Sequence, residues 1–136
     1  MWGRAIRPGW FFRRGDIYLA DLDPVIGSEQ GGIRPVVVVQ NNRGNYYGPT
    51  LIVASMTTQL KKLDLPTHYL ISENRGLATP SMLQFEQIHT IDKSRIISYL
   101  GKLTEEQYPE LDGYLINSFG IYVPNRIGLQ GLNNSE

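Results

Sequence analysis

Short apolar runs separated by turn residues cover most of the chain and predict a mainly β protein. Residues 16–21 alternate between apolar and polar side chains, which is typical of a strand. Residues 36–40 begin with four consecutive valines, which indicates a strand buried on both faces. Residues 41–49 are dense in Asn, Gly and Pro and predict a turn. Further strands are predicted at 50–56, 67–72, 81–91 (one strand or two) and 96–103, with a short helical turn at 92–95.

One helix is predicted near the C-terminal end. Thr104 and Gln107 have the spacing of a capping box, in which two side chains cap each other's backbone N–H groups at a helix start. An apolar stripe follows at three- and four-residue spacing, formed by Tyr108, Leu111, Leu115 and Phe119. Pro109 and Gly113 weaken this helix, which we expect to end at Phe119. Several short strands followed by one helix indicate a small antiparallel barrel with a C-terminal helical appendage.

Length and composition indicate one folded domain. The chain has 136 residues, 41% of them hydrophobic, and no apolar run approaches the roughly 20 residues of a membrane span. Residues 1–12 are basic and aromatic and lack the apolar core of a signal peptide, so we interpret them as an irregular arm. Residues 122–136 are interpreted as a flexible polar tail, which leaves 13–121 as the domain. Cysteine is absent, which excludes disulfides and favours a cytoplasmic location.

Charge is balanced over the whole chain but not along it. The sequence contains 13 Lys and Arg and 13 Asp and Glu, so the formal net charge is zero. Residues 1–62 hold eight basic and four acidic side chains, and the remaining residues carry the compensating negative excess. A neutral chain gives weak support to a nucleic-acid binder, whereas this distribution allows one basic face. The alternative is ordinary surface charge that keeps the protein in solution.

The loop at 27–35 is the strongest candidate for a functional segment. It places three glycines and a short polar sequence between two predicted strands. Arg34 ends this loop, and Pro35 favours an extended backbone at the residue before it. The guanidinium is therefore expected on the rigid rim of the valine strand, where it binds a phosphate. The alternative is an ion pair between Arg34 and a nearby carboxylate such as Glu29.

Thr57 is predicted to lie beside Arg34. Residues 35–40 and 51–56 have equal length, so antiparallel pairing across the turn at 41–49 brings Arg34 and Thr57 to the same end of the sheet. A guanidinium beside a hydroxyl can hold two oxygens of one phosphodiester. Catalysis would then be electrostatic and positional, with the 2′-OH of an RNA substrate as nucleophile. The alternative for Thr57 is a threonine that merely ends a strand.

Other kinds of chemistry find little support in the sequence. The two histidines, His68 and His89, lie in separate predicted strands, and we interpret them as structural or surface residues rather than a catalytic pair. No pair of ligands has the spacing of a metal site, so no metal is predicted. Phosphate-loop, dinucleotide-binding and serine-nucleophile motifs are also missing, and no cofactor is predicted.

Several sequence blocks in the same order resemble the MazF/PemK family of toxin endoribonucleases. The similarity covers about residues 13–121, and the blocks that carry it are 14–24, 27–35, 38–41, 49–57, 65–68 and 86–93. The resemblance implies an SH3-like antiparallel barrel of the MazF/CcdB type and a homodimer. It also implies metal-independent cleavage of single-stranded RNA at a short sequence, giving 2′,3′-cyclic phosphate and 5′-hydroxyl ends. The implied partner is a MazE-like antitoxin whose acidic tail covers the RNA groove.

The same resemblance assigns roles to individual residues. The catalytic arginine of the family matches Arg34, and its catalytic threonine matches Thr57. Positions that tend to line the base-reading groove match Ser28, Glu29, Gln30, Leu65, Pro66 and Gln87. We add Gln59 and Lys62, which follow Thr57 on a polar loop, to the predicted RNA-binding residues. Glu29 and Gln30 suit this role, because a carboxylate accepts from exocyclic amines and an amide both donates and accepts.

Two departures from the family pattern affect the groove rather than Arg34 and Thr57. His89 stands where close relatives tend to have arginine, and Thr79, Pro80 and Ser81 replace a charged stretch. These changes bear on which RNA sequence is cleaved. Two rival functions remain: a CcdB-like inhibitor of gyrase with a similar barrel but no ribonuclease activity, and a barrel that has kept the fold and lost catalysis.

Overall fold

A computed structural model describes residues 3–124, which form one antiparallel sheet with a helix after its last strand. The described strands are β1 (Arg4–Ala5), β2 (Asp16–Asp21), β3 (Ile33–Val38), β4 (Thr50–Thr57), β5 (His68–Ile71), β6 (Ser81–Asp92) and β7 (Ile96–Lys102). The helices are α1 (Asn42–Tyr47), a 3-10 turn (Lys93–Arg95) and α2 (Gln107–Phe119). Residues 125–136, most of the predicted tail, lie outside the described residues.

The strand order in the sheet is β1-β7-β2-β3-β4-β6-β5. Every neighbouring pair is antiparallel, and β1 and β5 are the two edges of the sheet. The predicted mainly β architecture with a C-terminal helix is therefore confirmed. β3 and β4 occupy central places in this order, so their ends are supported by neighbouring strands on both sides.

The central strands bury both of their faces, as the valine run predicted. Val36, Val37 and Val38 are fully buried and alternate between two apolar clusters. One cluster contains Val37 and lies under α2, and the other contains Val36 and Val38. β4 alternates in the same way, which fixes the orientation of each of its residues. A shift of register by one residue would exchange the two apolar faces.

α2 closes the first apolar cluster. The predicted capping box forms: the backbone N–H of Gln107 donates to Oγ1 of Thr104 (3.2 Å), and the Gln107 side chain accepts from the Thr104 N–H (3.1 Å). Leu111 and Leu115 are buried against the sheet. Phe119 was predicted on the same buried stripe, but 59% of its surface is exposed. It lies in the last turn of α2, directly before the left-handed Gly120 that ends the helix.

The N-terminal arm covers part of the second apolar cluster. Its residues 4–5 form β1 at the edge of the sheet, where an irregular segment was predicted. Phe12 is buried in the cluster, and the Trp10 indole donates to the hydroxyl of buried Tyr18 (2.9 Å). Tyr18 in turn donates to Asp16 (2.6 Å), and burial raises the pKa of the Asp16 carboxyl. Apolar and aromatic side chains in the arm therefore give it a fixed place on the sheet.

Two local predictions differ from the structure. The segment 41–49 contains the helix α1 rather than turns alone, because the Asn41 side chain caps it by accepting from the Gly44 N–H (2.8 Å). β3 begins at Ile33 rather than at Val36, which places Arg34 inside a strand. Neither of the described α-helices is long and apolar enough to cross a membrane.

We predict that Leu111→Ala lowers the free energy of unfolding by about 2–5 kcal/mol, because it leaves a cavity beneath α2. Phe119→Ala is the matched control on the same helix, and its exposed ring predicts a change within about 0.5 kcal/mol. Urea denaturation of both variants measures the difference. Equal losses for the two substitutions would contradict the packing of α2 described here.

Candidate functional site

The predicted meeting of Arg34 and Thr57 at one end of the sheet is confirmed. Val36 pairs with Ser55 and Val38 pairs with Val53 in the antiparallel ladder between β3 and β4. Continued by two residues, the same register places Arg34 opposite Thr57. Both residues line one pocket of about 260 Å³, together with Ile33, Pro35, Met56, Thr58, Gln59 and Ser81. This lining contains one charged side chain, the guanidinium of Arg34, so the pocket suits an anion.

Backbone carbonyls hold the guanidinium of Arg34 in place. Its Nε donates to the carbonyl of Gly31 (2.8 Å), and Nη1 donates to the carbonyl of Met56 (3.2 Å). Arginine has five N–H groups, so three of them remain for a ligand. Burial lowers the pKa of Arg34 below its usual value, although the charge of Asp23 acts in the opposite direction. The group is thus a partly desolvated cation with a fixed orientation.

The alternative interpretation of Arg34, an ion pair with Glu29, does not match the geometry. Glu29 instead caps a turn of its own loop, where its Oε1 accepts from the Ile26 N–H (2.9 Å). The ion pairs found in the described part of the chain join Arg14 to Asp112 and His68 to Glu86. Arg34 is therefore fixed by neutral carbonyls, which leaves its positive charge uncompensated by direct contact.

The hydroxyl of Thr57 is partly engaged. Its Oγ1 accepts a hydrogen bond from the backbone N–H of Gln59 (3.1 Å), within the turn that follows β4. An O–H group both donates and accepts, so the proton of Thr57 remains available to an acceptor in the pocket. The pocket can therefore offer a phosphate the neutral hydroxyl of Thr57 and the charged N–H groups of Arg34 as hydrogen-bond donors.

The loop between β2 and β3, residues 22–32, is tied to the centre of the sheet by side-chain amides. The buried hydroxyl of Ser55 donates to Oε1 of Gln30 (2.6 Å). The Gln30 backbone N–H donates to Oε1 of Gln87 on β6 (2.8 Å), and the Gln87 amide approaches the carbonyl of Ser28 (3.4 Å). Three of the predicted RNA-binding residues, Ser28, Gln30 and Gln87, thus form one connected group, and Glu29 lies exposed among them.

The loop between β4 and β5, residues 58–67, carries the other predicted RNA-binding residues. Gln59 lines the pocket of Arg34 and Thr57. Lys62, Leu65 and Pro66 are exposed and lie outside that lining, further along the loop. Lys62 has a φ of 52°, a left-handed backbone conformation that is uncommon for residues other than glycine. The structure therefore divides this set into one residue at the pocket and three beyond it.

Neither histidine is among the described residues that line the pocket. This agrees with their interpretation as structural or surface residues rather than a catalytic pair. His68 is buried at the start of β5, where its ring contacts Glu86 and the β4–β5 loop. His89 is half-buried on β6, and its Nε2 is enclosed without a hydrogen-bond partner. Burial lowers the pKa of His89, and the charge of Glu29 partly offsets this effect. Within residues 3–124, no three His, Asp or Glu side chains group as metal ligands would.

Sequence reasoning missed Ser55, and it named Ser81 as part of a changed groove edge but not as a neighbour of Arg34 and Thr57. Ser55 is a fully buried hydroxyl inside β4 and fixes Gln30, and its only signal was a polar residue within an otherwise apolar run. Ser81 opens β6 and lines the pocket directly after the exposed Pro80. Beside the pocket lies a larger, mostly apolar groove of about 890 Å³ that shares Ile33, Pro35, Thr58 and Ser81 with it.

Known proteins resemble both the sequence and the fold. A family model described as PemK-like, MazF-like toxin of type II toxin-antitoxin system matches residues 13–119. An endoribonuclease from a mycobacterial species, solved with its cognate antitoxin, is 23% identical over 82% of this chain and 98% of that chain, with a TM-score of 0.68. Toxin MazF-mt6 of Mycobacterium tuberculosis is 24% identical over 79% and 99%, with a TM-score of 0.67. MazF of Deinococcus radiodurans is 20% identical over 82% and 99%, with a TM-score of 0.71.

We predict that Ser55→Ala lowers the free energy of unfolding by about 1 kcal/mol, because Gln30 loses a buried hydrogen-bond donor. Ser28→Ala removes the same atom from an exposed position of the β2–β3 loop and should leave stability unchanged. Chemical denaturation compares the two variants, and amide hydrogen exchange of residues 28–32 reports loosening of the loop. Unchanged stability and exchange in Ser55→Ala would show that this hydrogen bond does not hold the loop.

Proposed function

This chain belongs to the PemK-like, MazF-like family of toxins of type II toxin–antitoxin systems, and from that premise we propose that it is an endoribonuclease that cleaves single-stranded RNA. The resemblance drawn from the sequence is thereby confirmed at the level of the family. The observation that carries the proposal is the pocket in which Arg34 and Thr57 stand side by side at the ends of β3 and β4. The mycobacterial neighbours described as endoribonucleases support the same activity.

The proposed reaction is an internal transesterification of RNA. The 2′-oxygen of the substrate attacks the adjacent phosphorus, a new P–O2′ bond forms, and the P–O5′ bond breaks. The 2′-OH gives up its proton, and the departing 5′-oxygen gains one, so the products are a 2′,3′-cyclic phosphate and a 5′-hydroxyl. DNA lacks the attacking hydroxyl and would not be cleaved. Among residues 3–124, no carboxylate or imidazole lines the pocket, which favours a reaction that does not use a metal ion.

Arg34 and Thr57 are the proposed catalytic residues. Negative charge accumulates on the non-bridging oxygens as the phosphorus becomes five-coordinate. The unoccupied N–H groups of Arg34 would stabilise this charge, and the Thr57 hydroxyl would donate to one of the oxygens. Because the guanidinium is already oriented by two carbonyls, little reorganisation is needed during the reaction. The burial that lowers the pKa of Arg34 also removes water from around the guanidinium, which strengthens its attraction to a phosphate.

The two polar loops are proposed to read the RNA sequence. Gln30 has its Oε1 occupied by Ser55, so its Nε2 remains to donate to a base acceptor. Glu29 keeps one carboxylate oxygen free to accept from an exocyclic amine. Gln87 is largely engaged in holding the β2–β3 loop, so its contribution is to position that loop. Ser28, Gln59, Lys62, Leu65 and Pro66 complete the proposed RNA-binding set.

The proposed partners follow from the family. We expect a homodimer in the cytoplasm and a MazE-like antitoxin that covers the RNA-binding groove. One structural neighbour is described as bound to its cognate antitoxin, which supports this partner. The excess of basic residues in the first 62 positions would favour both RNA and an acidic antitoxin segment.

We predict that Arg34→Ala reduces cleavage of a long RNA in EDTA by about 10³-fold or more, because it removes the charged donor. Its melting temperature should stay close to that of the wild type, since the guanidinium is half-exposed and paired only with carbonyls. Arg43→Ala, on the exposed α1, is the matched control for losing one positive charge. Mapping new 5′ ends measures the activity and identifies the cleaved sequence. Undiminished cutting by folded Arg34→Ala would refute the catalytic assignment.

Thr57→Ala is predicted to slow the reaction about 10²-fold, because one donor to the transition state is lost while Arg34 stays in place. Thr57→Ser keeps the hydroxyl and should retain most of the activity. Single-turnover rates at saturating enzyme separate this effect from RNA binding. Equal activity of the Ala and Ser variants would show that the hydroxyl takes no part in the reaction.

A further inference from the structure

Both ring nitrogens of His68 are engaged by acceptors. Nε2 lies 2.7 Å from Oε2 of Glu86, on the neighbouring strand β6. Nδ1 lies 2.9 Å from the carbonyl oxygen of Lys62 and 3.2 Å from that of Lys61. The imidazole is 6% exposed, so water does not replace these partners. His68 therefore joins Glu86, at the end of the β5–β6 pair, to the backbone of Lys61 and Lys62 in the β4–β5 loop.

This geometry requires a proton on each nitrogen. A carbonyl oxygen can only accept, so the Nδ1 contact needs an N–H donor. An ionised carboxylate also only accepts, and the pKa of Glu86 is lowered: burial alone would raise it, but hydrogen bonds from His68 and Thr67 outweigh that effect. With acceptors on both sides, the ring makes all of its contacts only as the imidazolium.

The segment held by Nδ1 contains a non-glycine residue with a left-handed backbone conformation. Lys62 has a positive φ of 52°, and its carbonyl also accepts from the Leu65 N–H (3.1 Å). The His68 N–H donates in turn to the Leu65 carbonyl (3.0 Å). Non-glycine residues with positive φ persist where surrounding contacts hold them. The contacts of His68 thus stabilise the turn that carries Lys62, Leu65 and Pro66.

We propose that His68 is a positioning residue for RNA recognition: as an imidazolium between Glu86 and the carbonyls of Lys61 and Lys62, it holds the β4–β5 loop in its binding conformation. The loop loosens when the ring loses its proton. This inference rests on the proposed function for its effect on RNA, whereas its effect on the loop can be measured without RNA. His68 is not among the described residues that line the Arg34–Thr57 pocket, so we expect it to act on RNA binding rather than on the chemical step.

The direction of the pH dependence follows from the groups around the ring. Burial alone would lower the pKa of His68, but the hydrogen bond and charge of Glu86 and the carbonyls of Lys62 and Lys61 raise it above the usual value. Glu86 is the charged side chain that faces the ring from β6, and the β4–β5 loop contributes backbone carbonyls. The loop is therefore held at pH values below the raised pKa of His68, and this restraint is lost as the pH rises through that pKa.

The experiment combines an NMR titration of the full-length protein with the pH dependence of RNA cleavage. Ring nitrogen shifts of His68 report its protonation, and amide shifts of residues 60–66 report the loop. We expect both to change with one midpoint above about 6.5, the usual value for histidine. For cleavage we expect KM to rise about tenfold above that midpoint while kcat stays constant.

Glu86→Gln is the decisive variant, because the amide can still accept from Nε2 but carries no charge. In Glu86→Gln, His68 should lose its proton at a lower pH. The change in the loop amide shifts and the rise in KM should move to that same lower pH. Glu105→Gln, which changes an exposed acid in the turn before α2, is the control and should move none of them. His68→Gln should remove the pH dependence and fix KM at its high value.

Two results would overturn the proposal. One is a His68 ring that stays neutral where the loop is ordered; the other is a loop whose amide shifts ignore the titration of His68. If His68 has only a structural role, the loop amide shifts would change at the same pH in Glu86→Gln as in the wild type. That result would also contradict the proposal. If the protein cleaves no RNA at any pH, the proposed function fails, and the titration alone still decides whether His68 holds the loop.

Discussion

The antiparallel register between β3 and β4 is the constraint on which the candidate site depends. Both strands are central and buried on both faces, so a slip by one residue would move each side chain of the slipped strand into the opposite apolar cluster. The apolar core thereby fixes which residues meet at the strand ends. Arg34 and Thr57 stand together because the register in which Val36 pairs with Ser55 and Val38 pairs with Val53 places them opposite each other two residues further on. Stability and site geometry have the same physical origin.

Around this pair, polar side chains help to hold both loops, together with buried Leu22 at the start of the β2–β3 loop. Ser55 and Gln87 attach the β2–β3 loop to the sheet, and His68 with Glu86 attaches the β4–β5 loop. Hydrogen bonds of this kind are directional, so they fix orientation with modest net stabilisation. The result is a charged, preoriented centre beside two polar loops. This arrangement suits the proposed cleavage of RNA at a short sequence.

The sequence was sufficient for the features that follow from periodicity and length. Equal strand lengths predicted the meeting of Arg34 and Thr57, and the alternation of β2 predicted its bounds correctly. Prediction failed where the same residue composition is compatible with more than one local structure. The Asn- and Gly-rich segment after β3 forms α1 because Asn41 caps it. Phe119 keeps the helical spacing but lies exposed in the last turn of α2. The roles of Ser55 and His68 depend on partners 25 and 18 residues away, which no local pattern reveals.

The measurement that tests the account most directly is incubation of the purified protein with a long, lightly structured RNA in EDTA, followed by mapping and chemical typing of the new ends. The account predicts discrete cuts at one short sequence, with 5′-hydroxyl ends, and no cut where the nucleotide before the scissile bond carries a 2′-deoxy substitution. Intact RNA in the presence of folded protein would contradict it. So would cleavage that proceeds at the 2′-deoxy position, because the 2′-oxygen could not then be the nucleophile.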